Sequence, residues 1–280
     1  MVDEYSEVTT TSFGNRIIES FIEIILGLIF FLGSFLLILW NQGRSVDRIK
    51  MLDEARSIVV AISPEEMDTN NNSALIYISG KAITDDVLKD QLFGIEENAL
   101  KLKRTTEVYQ WEESSKTKTK NNMGGRETKE VIYSYNKIWS KRLINSFRFK
   151  KKEGHENPTS IPYESQINTA SNIKVGVFKL TSDFVSQIDN FVSYPLSQKN
   201  YDAMEGGIKK FFKLNGNEYF YGDPVNPQIG AMRIKYSIIE PSEVSVIGKQ
   251  NNNSVETYYT KNGDIKLLAI GSFDLTICFL

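Results

Sequence analysis

The stretch Ile-Ile-Leu-Gly-Leu-Ile-Phe-Phe-Leu-Gly-Ser-Phe-Leu-Leu-Ile-Leu-Trp, residues 24–40, decides how the chain folds, because it carries no charged side chain. At about 1.5 Å per residue, a helix of this stretch is about 25 Å long, close to the roughly 30 Å hydrocarbon core of a bilayer. Phe21 and Ile22 lengthen it, and Trp40 suits the membrane–water interface at its far end. The sequence therefore predicts a transmembrane helix at residues 21–40. A polar tail at 1–20 precedes it, and a large β-rich hydrophilic domain at 41–280 follows.

The segment before this helix argues against a cleaved signal peptide. A signal peptide has a basic start and a small-residue cleavage site. Here the first 20 residues are acidic, with Arg16 as the single basic residue, and no Ala-x-Ala pattern follows Trp40. We therefore expect a retained anchor.

Basic residues follow the helix rather than precede it. Arg44, Arg48, Lys50 and Arg56 lie on the C-terminal side, against Arg16 on the N-terminal side. By the positive-inside rule, this asymmetry predicts a large domain in the cytoplasm. Other membrane segments can override that rule.

The composition excludes several classes of protein. A net charge of −2 and an isoelectric point near 5.7 argue against a nucleic-acid partner. Cys278 and His155 are the single cysteine and the single histidine, which excludes an intramolecular disulfide and a Cys/His zinc cluster. No phosphate-binding loop, GxSxG or HExxH motif occurs. We therefore predict no enzyme, and no catalytic, cofactor-binding or metal-binding residue.

Two residues have side chains that could be catalytic, but their sequence surroundings favour structural roles. His155 lies in a turn between Gly154 and Glu156, where a structural role is more common than a general base. Cys278 lies in an apolar run, which is typical of a small buried hydrophobe.

The part that follows the helix alternates strand-like and helix-like stretches, which predicts an α+β fold that is rich in strands. Two related subdomains, divided near residues 150–170, are one option. The pattern predicts helices at Leu52–Ile62, Thr84–Leu92 and Ser182–Phe191, with Thr84 and Ser182 as N-caps, and strands at 74–79, 100–113, 131–139, 175–180, 218–221, 232–239 and 244–247. Tyr258-Tyr259 and 265–270 should form a last hairpin around residues 261–264.

Residues 100–139 are expected to form a long hairpin whose tip, Ser114–Arg126, is a polar loop. Lys116, Lys118 and Lys120 in that loop have two interpretations, a solvated loop or a contact with anionic lipid or nucleic acid. The solvated loop is favoured. We expect any homo-oligomer to associate through the anchor and the apolar face of Ser182–Phe191.

Several short blocks are similar to one known family. Asn41-Gln42-Gly43-Arg44, Tyr109-Gln110-Trp111-Glu112, Tyr133-Ser134-Tyr135-Asn136 with Trp139, and Gly154-His155-Glu156-Asn157-Pro158 occur in this order. Asp189-Asn190-Phe191, the stretch from Asn226-Pro227 to Gly230, and Thr260-Lys261-Asn262-Gly263-Asp264 follow. In these blocks the chain resembles the transmembrane protein 43 (LUMA) family along nearly its whole length.

The resemblance implies a protein of the endoplasmic reticulum and nuclear inner membrane that organises protein complexes without catalysis. Implied partners are membrane lipid and other membrane proteins, of the lamin and emerin type in a eukaryote. A bacterial member would lie in the cell envelope. The alternative is a membrane-tethered enzyme or lipid-binding domain of a bacterial envelope.

The resemblance also bears on topology. Family members continue into C-terminal membrane helices, which this sequence lacks before Leu280, and Asp274 makes residues 265–280 a poor span. They place the large domain in the lumen, against the positive-inside expectation. We favour the family arrangement, with residues after Trp40 in the lumen, or in the periplasm of a bacterium.

Overall fold

A computed structural model describes residues 3–275 of the chain. Its helices are α1 (Phe13–Ile58), α2 (Ser182–Val185), α3 (Gln198–Asp202) and α4 (Gly206–Lys209). Its strands are β1 (Asp3–Thr11), β2 (Val60–Ala61), β3 (Leu75–Thr84), β4 (Leu88–Asp90), β5 (Ile95–Glu97), β6 (Lys101–Asn121), β7 (Glu127–Ser140), β8 (Gln166–Thr169), β9 (Ile173–Val175), β10 (Phe178–Leu180), β11 (Val192–Ser193), β12 (Phe212–Asn215), β13 (Glu218–Tyr221), β14 (Met232–Ile239), β15 (Ser242–Asn251), β16 (Ser254–Glu256), β17 (Tyr258–Thr260), β18 (Gly263–Ile265) and β19 (Leu267–Ile270).

The long helix α1 is the first feature that the sequence dictates. Its central residues are exposed apolar side chains, and no proline interrupts it. At about 1.5 Å per residue, its 46 residues measure about 69 Å, more than twice the hydrocarbon core. Among the described residues, it is the single helix that is long and apolar enough to cross a membrane. The predicted fold class, α+β with one N-terminal membrane helix, is confirmed.

Two sheets account for most strands. One has the order β1-β7-β6-β14-β13-β12, with β11 beside β14 and β8 beside β6. The other has the order β19-β15-β16-β10-β9-β3-β2, and β15 also pairs with β3. This extra pairing closes β3, β9, β10, β16 and β15 into a small barrel, which removes exposed strand edges. Two further hairpins are β4–β5 and β17–β18.

The chain divides into two compact units that are interleaved in sequence. Unit 1 contains residues up to 41 together with 106–164 and 220–233. Unit 2 contains 42–105, 165–219 and the residues from 234 onward. Neither unit is therefore a continuous half of the chain. The chain passes from unit 1 to unit 2 at 164–165, among other places.

The last turns of α1 pack into a small core in unit 2. Met51 and Ala55 are buried there against Leu75, Ile247 and Ile265. The membrane helix therefore continues without a break into the folded part of the chain. The helix predicted at Leu52–Ile62 is not separate, because it forms the end of α1.

The N-terminal tail is ordered rather than irregular. β1 pairs with β7 in antiparallel register from Asp3 opposite Tyr135 to Thr11 opposite Glu127. The polar loop predicted at Ser114–Arg126 is wrong, because β6 continues to Asn121 and a turn reverses the chain into β7. Cross-strand backbone pairing stabilises residues that have no apolar face of their own.

The helix predicted at Thr84–Leu92 is wrong. The hydroxyl of Thr84 accepts a hydrogen bond from the backbone N–H of Asp86, which forms a turn instead of a helix cap. The side-chain amide of Asn98 then donates to the carbonyl oxygens of both residues. These bonds lead the chain into the β4–β5 hairpin.

Three later predictions need correction. The helix predicted at Ser182–Phe191 is limited to α2, whose N-cap is Thr181, since the chain beyond it turns to pair as β11 with β14. The strand predicted at 175–180 is a hairpin of β9 and β10, because Gly176 has a positive φ of 57°. In the last hairpin, β17 pairs with β18, whereas β19 pairs with β15.

Candidate functional site at the membrane helix

The apolar part of α1 presents its side chains to the surroundings. Every residue from Phe21 to Leu32 is exposed, and Phe30 is 74% exposed. Within the most apolar window, no residue is buried by the rest of the protein. An uncovered surface of this length and composition requires a lipid environment. We therefore take this surface as the first part of the functional site.

Polar groups inside the apolar stretch are satisfied within the helix. The Ser34 hydroxyl donates to the carbonyl oxygen of Phe31 at 2.6 Å, which suits a lipid-facing position. A Cβ added at Gly27 or Gly33 would meet nothing within 4 Å. These glycines therefore do not mark a close contact with another described element.

The start of α1 contacts the tip of the β6–β7 hairpin in this structure. The guanidinium of Arg16 donates to the carbonyl oxygen of Gly125 at 2.9 Å and lies 3.3 Å from the carboxylate of Glu127. The Phe13 ring lies so close to Gly125 that a Cβ there would come within 2.4 Å of it. Beside this contact, Met123 is 99% exposed. The turn thus presents one free apolar side chain next to the start of the membrane helix.

The lysine cluster lies on a strand, not in a loop. Lys116, Lys118 and Lys120 alternate with threonines on β6, so they project on one face of the hairpin. Lys118 is opposite Glu130 on β7. The Lys-Thr-Lys-Thr-Lys alternation is the sequence signal that could have identified this strand.

His155 is the centre of a buried aromatic cluster in unit 1. It is 1% exposed, stacks on the Tyr135 ring at 4.0 Å between centroids, and meets the edge of Trp111 at 4.7 Å. Its Nδ1 lies 3.1 Å from the carbonyl oxygen of Lys151, and its Nε2 lies 3.2 Å from the carboxylate of Asp3. Both ring nitrogens therefore face oxygen atoms within the protein.

The cluster continues through charged groups at its margin. The Tyr135 hydroxyl donates to Glu113 at 2.6 Å and accepts from the backbone N–H of Lys151 at 2.9 Å. Burial and the bond to Glu113 raise the pKa of Tyr135 to about 12. The hydrogen bond from Lys151 lowers the pKa of Asp3, with the charges of Lys151 and His155 acting in the same direction. All of these groups are held by partners inside the protein, which favours a structural role for His155.

Unit 2 contains a second ionisable cluster. The carboxylate of Asp90 accepts from Arg104 at 2.5 Å and from the Tyr236 hydroxyl at 2.7 Å. Burial raises the pKa of Tyr236, and the Phe93 ring packs against the same tyrosine. This pair supports the 3₁₀ turn Gln91–Phe93.

A cavity of about 550 Å³ in unit 2 is lined from the β4–β5 hairpin to α3. Asp90, Arg104 and Tyr236 are not among its lining residues. The charged groups that do line it include Lys89 and Glu96, which pair with each other at 2.8 Å. Glu97 and Lys199 are further charged residues of its lining. Among residues 3–275, no cluster of His, Cys, Asp and Glu could hold a metal ion.

The structure also tests other residues that the sequence analysis named. Phe184 and Ile188, on the face predicted for self-association, are fully buried in unit 2, so that expectation is wrong for this face. Cys278 lies outside the described residues. The sequence did not single out Asp3 or Lys151, because their contact joins positions 148 residues apart.

These features define a membrane protein with one N-terminal helix and a β-rich hydrophilic part. The comparisons agree. The family model "Transmembrane protein 43" matches residues 108–279. Human Transmembrane protein 43 is 33% identical over 95% of this chain and 68% of its own length, and the mouse protein is 32% identical over the same shares. The Drosophila melanogaster homologue is 26% identical over 85% of this chain and 63% of its own length.

The chain belongs to the transmembrane protein 43 family. The resemblance stated from short blocks is thereby confirmed. No solved structure matches the chain.

Proposed function

We propose that the chain is a non-catalytic membrane scaffold that organises protein complexes at the endoplasmic reticulum and nuclear inner membrane. Its large domain would face the lumen. The observation that carries this proposal is the uncovered apolar surface of α1, which continues directly into the buried core at Met51 and Ala55. One helix thus joins an apolar membrane segment to residues that are buried in a folded core. In a eukaryote, the expected partners are envelope proteins of the lamin and emerin type.

The ionisable clusters support the absence of catalysis. His155 and the Asp90–Arg104 pair use their polar atoms on internal partners. Neither lines the large cavity of unit 2. An active site instead requires converging groups at a substrate-sized pocket.

The test uses the full chain in cell membranes. Carbonate washing should leave it in the membrane fraction, because the apolar surface cannot be transferred to water. Cross-linking in intact membranes, followed by detergent extraction, should give complexes larger than the chain that contain envelope proteins. A matched control replaces residues 21–40 by an unrelated membrane helix of the same length, which retains anchoring.

Three results would contradict the scaffold function. One is release of the chain by carbonate. Another is a chain that remains uncross-linked in membranes in which a control membrane complex is cross-linked. The third is a measurable turnover that His155→Ala abolishes while fold and location are unchanged.

The β6–β7 hairpin favours lipid binding as a second candidate. Lys116, Lys118 and Lys120 present three cations on one face, and Met123 is fully exposed at the turn. Such a pattern suits anionic headgroups. In vesicles, anionic lipid should protect the hairpin from protease more than neutral lipid does. Replacing all three lysines by glutamine should reduce this difference. Equal protection in neutral and anionic vesicles would exclude this candidate.

A further inference from the structure

The strand β1 is held at the edge of the β6–β7 hairpin mainly through its backbone. Nine residues pair with β7, from Asp3 opposite Tyr135 to Thr11 opposite Glu127. Its apolar side chains add limited packing, since Val8 is 64% exposed and Tyr5, which is 39% exposed, lies 6.1 Å from the Tyr133 ring between centroids. A strand held in this way depends on main-chain hydrogen bonds for affinity and on a few side chains for selectivity.

Two carboxylates provide that selectivity. Asp3 lies 2.8 Å from the ammonium of Lys151 and 3.2 Å from Nε2 of the buried His155. Glu7, four residues further along the same face, lies 3.1 Å from the ammonium of Lys150. The edge therefore recognises an extended segment with two carboxylates that are four residues apart.

The position of β1 conflicts with a helix that crosses the membrane once. β1 precedes α1, whereas β7 follows it, and α1 is the single candidate span among the described residues. A single crossing places the segments before and after it on opposite sides of the bilayer. The nine residue pairs between β1 and β7 require both strands on the same side. The polar hairpin cannot pass through the hydrocarbon to meet β1, since its charges would be buried in lipid.

We propose that β1 occupies a strand-accepting edge only until α1 crosses the membrane, and that an acidic strand of a partner protein then takes its place on β7. This edge is defined by β7 together with Lys150, Lys151 and His155. The inference rests on the proposed scaffold function, because it assigns the partner's recognition segment. That segment is extended, carries carboxylates at positions i and i+4, and pairs antiparallel to β7.

Engineered cysteines test whether β1 has left the edge. In a Cys278→Ala chain, Thr9→Cys and Lys129→Cys are placed directly opposite each other in the register. Mild oxidation should form a disulfide in the detergent-solubilised chain, where no bilayer separates β1 from β7. The inserted chain in vesicles should form none. Thr9→Cys with Lys137→Cys is the matched control, since Lys137 lies beyond the end of β1.

A peptide tests whether the vacated edge accepts a strand. The probe is a fluorescent peptide with the sequence Asp-Glu-Tyr-Ser-Glu-Val-Thr-Thr-Thr of residues 3–11. It should bind the full chain in vesicles whose large domain faces outward. A peptide with both Asp3→Asn and Glu7→Gln should bind at least about tenfold more weakly, because it loses charge-assisted hydrogen bonds.

Substitutions in the chain complete the test. Lys151→Gln should weaken peptide binding by at least about tenfold, whereas Lys152→Gln, an exposed neighbour, should leave it unchanged. An unchanged circular dichroism spectrum of each variant separates loss of binding from loss of fold. The peptide arm with the unsubstituted chain is informative even if Lys151→Gln does not fold.

Each outcome bears on the inference. A disulfide that forms in vesicles would overturn it, since β1 would remain paired and α1 would enter and leave the membrane on one side. Absence of both disulfide and peptide binding would also overturn it. If cross-linked envelope complexes are still found after either of these results, the scaffold function stands and only this inference fails. If the peptide binds and no such complex is found, the scaffold function alone is contradicted.

Discussion

Replacing His155 should destabilise unit 1. The ring is fully buried between Tyr135 and Trp111, so His155→Ala removes two aromatic contacts and leaves a cavity. His155→Phe is the matched variant, because it retains a ring of similar shape and removes the two polar contacts.

The structure gives the size of each effect. His155→Phe leaves the carbonyl oxygen of Lys151 without its ring donor and removes a contact to Asp3, at a cost of about 1–3 kcal/mol. His155→Ala adds the loss of stacking and packing. Buried aromatic-to-alanine changes cost about 3–5 kcal/mol, and the smaller imidazole places this one near the lower end. Alanine should therefore be the more destabilising change.

Guanidinium chloride unfolding of the full chain in detergent micelles measures the difference. Tryptophan fluorescence includes a reporter at the site, because Trp111, one of three tryptophans, touches the histidine ring. The midpoint should fall for phenylalanine and fall further for alanine. Midpoints equal to that of the unsubstituted chain in both variants would refute the structural role of His155.

Three further changes test other parts of the fold. The Ser171 hydroxyl and its backbone N–H lower the pKa of Asp86, so the stabilisation from Asp86 is complete above its unfolded-state pKa and is lost as pH falls through the folded-state pKa. Asp86→Asn should therefore make the free energy of unfolding depend less on pH in the acid range. An unchanged acid dependence would contradict this. Gly176→Ala should cost about 3 kcal/mol, since φ is +57° and a Cβ would lie 2.0 Å from the carbonyl oxygen of Pro64; an unaltered melting temperature would oppose it. Tyr236→Phe should cost about 1–3 kcal/mol in denaturant unfolding because a partly buried carboxylate loses a donor, and an equal free energy of unfolding would argue against that bond.

The membrane helix could be predicted from the sequence because its signal is local. Seventeen consecutive residues without charge, from Ile24 to Trp40, suffice to identify it. The ends of α1 could not be predicted in the same way. Residues 41–58 are polar and helical, and the burial of Met51 and Ala55 depends on strands that follow much later in the chain.

The cluster around His155 depends on long-range pairing that a single sequence does not display. Trp111 and Tyr135 come from two strands, and Asp3 comes from a segment with the composition of a solvated tail. β1 has no apolar alternation, so its place beside β7 has no local signal. The Lys-Thr alternation of β6 did carry such a signal, but its charge suggested a loop.

A single crossing by α1 places its two flanks on opposite sides of the membrane, and this can be measured. Single cysteines at Ser6 and Lys118 in a Cys278→Ala chain are labelled with an impermeant maleimide in intact, sealed membranes. We expect Ser6→Cys to react from the cytosolic side, whereas Lys118→Cys should react only after the membrane is opened. Labelling of both positions from the same side of intact membranes would contradict a single crossing by α1.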